Sequence, residues 1–268
     1  MRGMPGRALL ALATGAVLAP LARRLVESVT PPGTLIRRNH AGRPVSLAEG
    51  PAYVGATALA GVLAGPAAVV AAIGAGSFGA LDDFAGDSRS KGLRGHLGAL
   101  SRGVVTTGLV KVAGLGATGL LAARLADRER SDLTGFDTLV GVGVVAGGAN
   151  VANLLDLRPG RALKATLVTA ALTGLADGRA LVGAAAASGA AAALIGSDLR
   201  GRTMLGDTGA NAAGAVIGTA LVMATGRRGR LAVLGVVTAL TLASERVSFT
   251  TVIESTPVLR ELDRWGRS

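Results

Sequence analysis

Residues 50–81 read GPAYVGATALAGVLAGPAAVVAAIGAGSFGAL and contain no charged side chain. A helix that crosses the ~30 Å hydrocarbon core of a bilayer takes about 20 residues. The stretch is therefore too long for one crossing and short for two, and Gly65 and Pro66 lie at its middle. Because proline cannot donate a backbone hydrogen bond and Gly-Pro pairs mark turns, the stretch predicts a tight hairpin of two short membrane helices.

The composition extends this interpretation to the whole chain of 268 residues. Half of the residues are hydrophobic, the mean hydropathy is +0.50, and only 17% carry a charge. Aromatic residues make up 2%, whereas there are 41 glycines, which favours close helix packing in lipid over a soluble aromatic core. We therefore expect an all-α polytopic transmembrane helical bundle that forms a single domain over residues 1–268.

Further apolar runs predict the other membrane helices, at residues 8–21, 103–123, 133–155, 165–176, 180–197, 208–226 and 231–244. The first run also fits a signal peptide, but more apolar runs follow it without a change in composition, so we interpret it as a span. With the hairpin, the runs predict about nine crossings with the N-terminus outside. Eight or ten remain open because residues 165–176 and 231–244 are short.

The distribution of Lys and Arg predicts the orientation. With the N-terminus outside, the connections on the opposite side carry most of these cations, as cytoplasmic loops do. We expect a multi-pass protein of the cytoplasmic membrane. The net charge of +11 does not indicate nucleic-acid binding, because the cations are spread between apolar runs rather than gathered in one basic stripe. With no cysteine and only two histidines, a Cys-ligated zinc site is excluded and a His-rich one is disfavoured.

The first polar cluster follows residues 50–81 at a predicted cytoplasmic helix end. Asp82 and Asp83 are adjacent there, and the loop after them contains Lys91 and Arg94. The helix dipole and mutual repulsion oppose two carboxylates at a helix C-terminus, so they require a cation or basic neighbours. Mg²⁺ suits such a pair because it binds one or two carboxylates and substrate phosphates. The alternative is a solvated loop in which the acids pair with these basic residues.

A second cluster ends the run at residues 133–155. Asn150, Asn153 and Asp156 are spaced three residues apart, so one helical stripe can present all three to a single ligand. Arg158 and Arg161 follow and either clamp a phosphate or simply follow the charge rule for inner loops. In the alternative interpretation the asparagines bond neighbouring helices and Asp156 marks the water interface.

The third cluster, residues 204–211, reads MLGDTGAN and opens another span. Asp207 or Thr208 can cap this helix, and Gly209 leaves free amides uncovered by a bulky side chain, which is how a helix N-terminus receives an anion. We include Gly209 and Asn211 among the candidate substrate-binding residues. A plain helix cap is the alternative.

Together and in this order on one membrane face, the clusters resemble the motifs of the polyprenyl-phosphate N-acetylhexosamine-1-phosphate transferases (glycosyltransferase family 4), which include phospho-MurNAc-pentapeptide translocase. The acidic pair of that family matches Asp82 and Asp83. Its Asn-x-x-Asn-x-x-Asp element matches residues 150–156, and its Gly-Asp-x-Gly element matches residues 206–209. A similar upstream Arg/His/Pro segment lies at residues 37–44, so the resemblance runs from about residue 37 to residue 211.

The resemblance implies transfer of a sugar-1-phosphate from a nucleotide-diphospho-sugar to a polyprenyl phosphate, in cell-envelope glycan synthesis such as that of peptidoglycan, on the cytoplasmic face. It implies Mg²⁺, with Mn²⁺ as a substitute, bound by Asp207 with Asp83 nearby, and a role for Asp82 in accepting the acceptor's proton or holding its geometry. It leaves a homodimer open. Phosphate contacts are implied for Lys91, Arg94, Arg158 and Arg161, and nucleoside or sugar contacts for Asn150, Asn153 and Asp156.

Two differences from the family keep other functions open. Residues 157–160 read LRPG where the family usually has a second aspartate, and no histidine follows His96, although the family has a histidine-rich loop near its C-terminal end. A non-catalytic relative that binds lipid, acts as a scaffold or transports a solute is therefore the main alternative. An intramembrane prenyltransferase would need a second acid-rich motif, and the spacing of CDP-alcohol phosphotransferases does not occur.

Two charged residues inside the apolar runs receive separate interpretations. We expect Lys111, which lies within a predicted span, to extend to the interface or pair with a neighbouring helix. We expect Asp137, near the outer end of its helix, to be solvated.

Overall fold

A computed structural model describes residues 4–85, 98, 101, 103–176 and 178–267. Most of these residues are helical. The helices are α1 (Met4–Val29), α2 (Glu49–Gly61), α3 (Pro66–Ala85), α4 (Thr107–Asp127), α5 (Gly135–Leu155), α6 (Arg161–Thr173), α7 (Arg179–Leu199), α8 (Gly206–Ala224), α9 (Arg227–Ser244), α10 (Phe249–Ser255) and α11 (Pro257–Arg264). Strands β1 (Ile36–Arg38) and β2 (Pro44–Ser46) form an antiparallel pair in which Arg37 lies opposite Val45. The all-α prediction is thus confirmed, with one small hairpin added.

The predicted break in residues 50–81 is confirmed. Helix α2 ends at Gly61, and Pro66 is the first residue of α3, where its missing amide hydrogen costs no helical bond. Gly65, just before it, has a φ of +108°, a backbone conformation that L side chains rarely adopt. Gly65 therefore allows the chain to reverse direction, and Pro66 starts the next helix.

Within the described residues, five helices are long and apolar enough to cross a membrane: α1, α3, α4, α5 and α7. A sixth is added if α9 and α10 count as one span, although the chain bends by 96° between them. Helices α2 and α6 have 13 residues each and so rise only about 20 Å, short of the hydrocarbon core. The protein is a helical membrane protein; the count of nine crossings and their orientation stay predictions.

Helix α8 lies at the centre of the bundle and packs against α2, α3, α5 and α7. Nearly all of its side chains from Thr208 to Ala220 are buried, and most of them are alanine, glycine or valine. Small side chains let neighbouring backbones approach closely, which replaces the aromatic packing of a soluble core. A helix surrounded in this way contributes its polar N-terminal residues to the interior of the protein rather than to its surface.

Helices α5 and α8 approach each other closely along their backbones. A Cβ atom placed on Gly214 would lie 2.1 Å from the carbonyl oxygen of Gly148, and one placed on Gly218 would lie 3.0 Å from the carbonyl oxygen of Val144. Gly214 and Gly218 are four residues apart, as are Val144 and Gly148, so the two helices meet along matched small-residue stripes. Helices α1 and α7 repeat the arrangement, since a Cβ atom on Gly189 would lie 2.0 Å from the carbonyl oxygen of Leu12.

Ion pairs join the helices at the end opposite the C-terminus of α3. Arg230 is fully buried. Its guanidinium donates to the Asp127 carboxylate at 2.8 Å and to the backbone carbonyl oxygen of Asp137 at 3.0 Å. Arg227 bonds the Asp137 carboxylate at 2.6 Å. The expectation that Asp137 is solvated was therefore wrong. Its carboxylate also accepts the amide of Thr134 at 2.7 Å, so the two residues form a capping box at the start of α5.

The packing of α5 on α8 predicts that alanine substitutions at two glycines differ in their effect on stability. Gly214→Ala should lower the stability of the detergent-solubilised protein by about 1–3 kcal/mol, because the methyl group meets backbone atoms that cannot rotate away. Gly235→Ala on α9 is the control, since nothing lies within 4 Å of its added Cβ and alanine is the better helix former. Thermal unfolding followed by helical circular dichroism measures both; equal melting temperatures would contradict the packing.

Candidate functional site

The C-terminal end of α3 and the N-terminal end of α8 meet through Asp83. Its Oδ1 accepts the backbone N–H of Asp207 at 3.0 Å, and its Oδ2 accepts the N–H of Thr208 at 2.9 Å and the Thr208 hydroxyl at 2.6 Å. The first amides of a helix have no partner within the helix, and its dipole favours a negative charge there. Asp83 thus serves as the N-terminal cap of α8 from a distant part of the chain.

Two glycines make this contact sterically feasible. Gly206 starts α8 with a φ of +60°, and a Cβ atom on it would lie 3.0 Å from the Asp83 carboxylate. A Cβ atom on Gly79, one helical turn before Asp83, would lie 2.2 Å from the carbonyl oxygen of Asp207. The absence of a side chain at Gly79 and Gly206 is therefore what allows α3 to reach the first turn of α8.

Asp82 and Asp207 share one cation, the side chain of Lys111. The Lys111 ammonium lies 3.2 Å from Asp82 Oδ2 and also bonds Asp207 Oδ2. The lysine is the least exposed of the three side chains, at 12% against 26% and 25%. The acids were expected to require a cation, and Lys111 was expected to reach the interface or pair with a neighbouring helix; the two expectations meet in one contact.

The donor set at this point suits a divalent ion only in part. Among the described residues, no three acidic or histidine side chains are grouped so that they could hold a metal ion alone. Asp82 and Asp207 nevertheless direct oxygens at one positive centre, and Mg²⁺ commonly takes one or two carboxylates and completes its shell with substrate phosphates and water. The oxygens of Asp83 are already engaged by α8, so Asp82 is the better second ligand than Asp83.

A second group of acids lies deeper, at Glu49, Asp156 and Asp198. Asp156 follows α5 directly and is 9% exposed, and its Oδ2 is buried without a hydrogen-bond partner. Burial raises the pKa of Asp156 well above its usual range, and the nearby Asp198 and Glu49 carboxylates raise it further. Sequence analysis selected Asp156 but missed the other two; both are single acids at the boundary of an apolar run, which was the only signal available.

Hydrogen bonds from neighbouring groups offset part of the cost of burying these acids. Glu49 is fully buried and accepts the hydroxyl hydrogen of Thr203, and Asp198 accepts the backbone N–H of Gly160 at 3.0 Å. Among the described residues, no lysine or arginine bonds any of the three carboxyl groups, so the three cannot all be ionised at low cost. The cluster therefore provides neutral or singly charged hydrogen-bonding groups rather than a strong anionic site.

A cavity of about 250 Å³ opens above this cluster. Asp156 and Asp198 lie at its polar wall, and the arginines that line it are Arg38 and Arg158. The predicted segment at residues 37–44 contributes Arg38, Asn39 and His40, so the first loop and the end of α5 form one binding space. This volume suits part of a small polar ligand, with uncharged groups at the acids and anionic groups at the arginines.

The remaining predicted substrate-binding residues are distributed as follows. Asn150 donates to the hydroxyl of Thr241 on α9 at 3.0 Å, so it joins helices, as the alternative interpretation had it. Asn153 is half-buried on the last turn of α5. Gly209 packs against Gly50, and Asn211 is fully buried with both polar side-chain atoms unpartnered.

The cations that were predicted to bind phosphate do not all lie at the cavity. Arg158 lines the cavity and lies 3.5 Å from Glu254. Arg161 is only 5% exposed and makes a paired contact with Asp263, at 2.9 and 3.0 Å, so its guanidinium is already engaged and does not line the cavity. Lys91 and Arg94 lie outside the described residues.

An apolar groove of about 410 Å³ runs beside the polar site between α5, α6, α8 and α9. It begins near Leu155 and Ala162, next to Asp156, and extends to Leu221 toward the other end of the bundle. Exposed apolar side chains of α6 and α9, including Leu172 and Val236, border it. The groove therefore has the chemistry of a binding surface for an extended hydrocarbon chain.

The cap geometry predicts different stability losses for the two adjacent acids. Asp83→Asn should destabilise the protein by about 1–2 kcal/mol, because an amide group cannot accept all three donors and carries no charge for the helix dipole. Asp82→Asn should cost about 0–1 kcal/mol, since it removes a partly exposed ion pair while Lys111 keeps Asp207. Thermal unfolding of both variants in the same detergent tests this; the reverse order would show that Asp83 is not the cap.

Comparison with known proteins does not assign the chain to a family. No family model matches the sequence, and no curated protein matches it. The residues that carry a functional argument are therefore those that the fold itself brings together at the ends of α3, α5 and the start of α8.

Proposed function

We propose that the protein is a membrane phosphoglycosyl transferase that moves a sugar-1-phosphate from a nucleotide-diphospho-sugar to a polyprenyl phosphate, in the synthesis of a cell-envelope glycan. One observation carries the proposal. Carboxylates and a lysine from three helices meet at one end of the bundle. At the end of α5, a polar cavity lined by Asp156 adjoins the start of an apolar groove lined by Leu155. A reaction between a polar nucleotide and a lipid phosphate needs both surfaces beside one charged centre.

Asp207 and Asp82 would hold the magnesium ion that this chemistry uses, with manganese as a substitute. When bound, the ion neutralises the donor pyrophosphate and stabilises the charge that develops on the leaving phosphate. Lys111, whose ammonium bonds both carboxylates, would lie beside the donor phosphates and supply a positive charge there. Asp83 holds Asp207 in place through the first amides of α8 and acts as a positioning residue.

The two substrates would occupy the two neighbouring spaces. Arg38 and Arg158 would bind anionic groups of the donor, while Asp156 would hydrogen-bond its nucleoside or sugar in the cavity. The hydrocarbon chain of the acceptor would lie in the apolar groove, whose polar end is at Leu155. A phosphate monoester is already largely ionised near neutral pH, so the acceptor needs orientation more than a strong base, and Asp82 supplies it.

The orientation belongs to the same proposal. We place the site on the cytoplasmic face of the cytoplasmic membrane, because the connections at this end of the predicted spans carry the excess of Lys and Arg. The donor would then reach the cavity from water and the acceptor would enter the groove from the adjacent leaflet.

A non-catalytic, lipid-binding relative is the second candidate. The observation that favours it is Lys111 itself, which bonds both Asp82 and Asp207 and so compensates part of their charge with a side chain of the protein. In that case the apolar groove would bind a lipid, and the ion pairs of Lys111 would only hold α3, α4 and α8 together.

Removing one carboxylate from the shared centre should separate these candidates by activity. Purified protein with Mg²⁺, polyprenyl phosphate and a panel of labelled nucleotide-sugars should form an organic-extractable product, and Asp207→Asn should lower its rate by about a hundredfold or more. The matched control is Asp132→Asn, which makes the same chemical change at an acid 62% exposed at the other end of the bundle. Equal rates for the two variants would refute the assignment of Asp207.

Ligand-induced stabilisation gives a second test that does not require turnover. A donor that binds the folded state should raise the melting temperature, and only with Mg²⁺ or Mn²⁺ present. Arg158→Gln should reduce this shift, whereas Arg128→Gln, at an exposed arginine of the far end, should leave it unchanged. Stabilisation by polyprenyl phosphate alone, with no effect of any nucleotide-sugar, would instead support the lipid-binding relative.

A further inference from the structure

The C-terminal strap, which we define as residues 249–267, packs on the site end of the bundle through polar contacts. Asp263 is 8% exposed and pairs with Arg161. Lys164 donates to the carbonyl oxygens of Leu262 and Asp263 at 3.0 and 2.8 Å, and Arg267 donates to that of Pro159 at 2.8 Å. These charge-assisted bonds all lie on one side of helix α11 and fix the orientation of the strap on the bundle.

The opposite side of α11 is apolar and uncovered. Val258, Leu262 and Trp265 are 69, 60 and 76% exposed. Their spacing of four and three residues puts them on one helical face, pointing away from Asp263. A helix of a soluble protein turns its apolar stripe toward the core, whereas α11 turns its polar side toward the protein and its apolar side outward. This inverted arrangement is stable only if another apolar medium covers the outer face.

The direction of the chain identifies that medium. Helix α10 leaves α9 at an angle of 96°, so if α9 runs across the bilayer, α10 runs along its surface. The exposed apolar side chains of α9, such as Val236 and Leu240, continue into Val247 and Val252 beyond its end. Exposed apolar side chains therefore occur along the span and again in the segment that leads to the strap, beyond the exposed Glu245 and Arg246 at the end of α9.

A second copy of the chain would not cover this face adequately. Three side chains on an eight-residue helix offer far less than the ~800 Å² per partner that a stable protein interface buries. Arg264 lies beside Leu262 and Trp265, with which it lines a shallow surface pocket. A cation beside a tryptophan and aliphatic side chains matches the boundary between lipid phosphates and acyl chains.

We propose that the strap is an interfacial anchor, with Val258, Leu262 and Trp265 inserted at the headgroup and acyl boundary of the leaflet beside the site. The inference is independent of the proposed transferase activity. Through Asp263 and Arg267 the anchor holds residues 158–161, and Arg158 and Pro159 form part of the cavity wall. The membrane surface thereby fixes the position of one side of the cavity.

Trp265 is the sole tryptophan, so its fluorescence reports the strap alone. The full-length protein is reconstituted in phosphatidylcholine and phosphatidylglycerol vesicles that contain phosphatidylcholine brominated at different depths. We expect blue-shifted emission, strong quenching by bromines near the ester groups, weak quenching by bromines near the terminal methyl groups, and little quenching by acrylamide. Quenching by acrylamide without quenching by lipid, or protection from both, would overturn the proposal.

Serine substitutions on the same exposed side provide the matched comparison. Val258→Ser and Leu262→Ser should each decrease lipid quenching and increase acrylamide quenching, because they remove apolar contacts with the acyl chains. Glu261→Ser, at a side chain that is 71% exposed and already polar, should change neither. Circular dichroism of each variant confirms that the bundle is intact, and unchanged quenching in both apolar variants would also overturn the proposal.

Discussion

The contact between Asp83 and the first amides of α8 determines where the site of this protein lies. It joins two helix ends that are 124 positions apart in the chain. Without it, the amides of Asp207 and Thr208 would be left unpaired inside a largely apolar bundle, which is costly. Once it forms, Asp207 must lie beside Asp82, the residue that precedes the cap, and the two carboxylates then require the cation that Lys111 supplies.

Polar contacts hold the two ends of the bundle, and small residues hold the middle. At the far end, Arg230 and Asp127 tie α9 to α4, while glycines such as Gly214 set the distance between α8 and α5. Backbone contact of this kind tolerates little sliding, because each glycine faces a particular carbonyl group. The register of the central helices is therefore fixed by glycine contacts, and the charged groups at either end can be positioned within a fraction of a helical turn.

These features explain which parts were predictable. The turn at Gly65 and Pro66 followed from local chemistry, and the helix positions followed from apolar runs. The meeting of Asp83 with Asp207 followed from placing each at a helix end. The rotation of each helix did not, since alanine and glycine surround the helices on all sides and leave no stripe that marks the inner face. That is why Asn150 was placed in the site rather than against Thr241. The interpretation of Lys111 as a residue that pairs with a neighbouring helix is confirmed, although its partners, Asp82 and Asp207, could not be named from the sequence.

The charge pattern of the cavity constrains how a nucleotide-sugar could bind in the proposed reaction. Asp156 and Asp198 lie at its wall, and a phosphate next to them would meet repulsion and a desolvation penalty. The cations that could bind a phosphate are Arg38 and Arg158, on other parts of the cavity wall, and Lys111, at the acidic centre. A donor would therefore place its uncharged portion at the buried acids and its pyrophosphate toward the lysine.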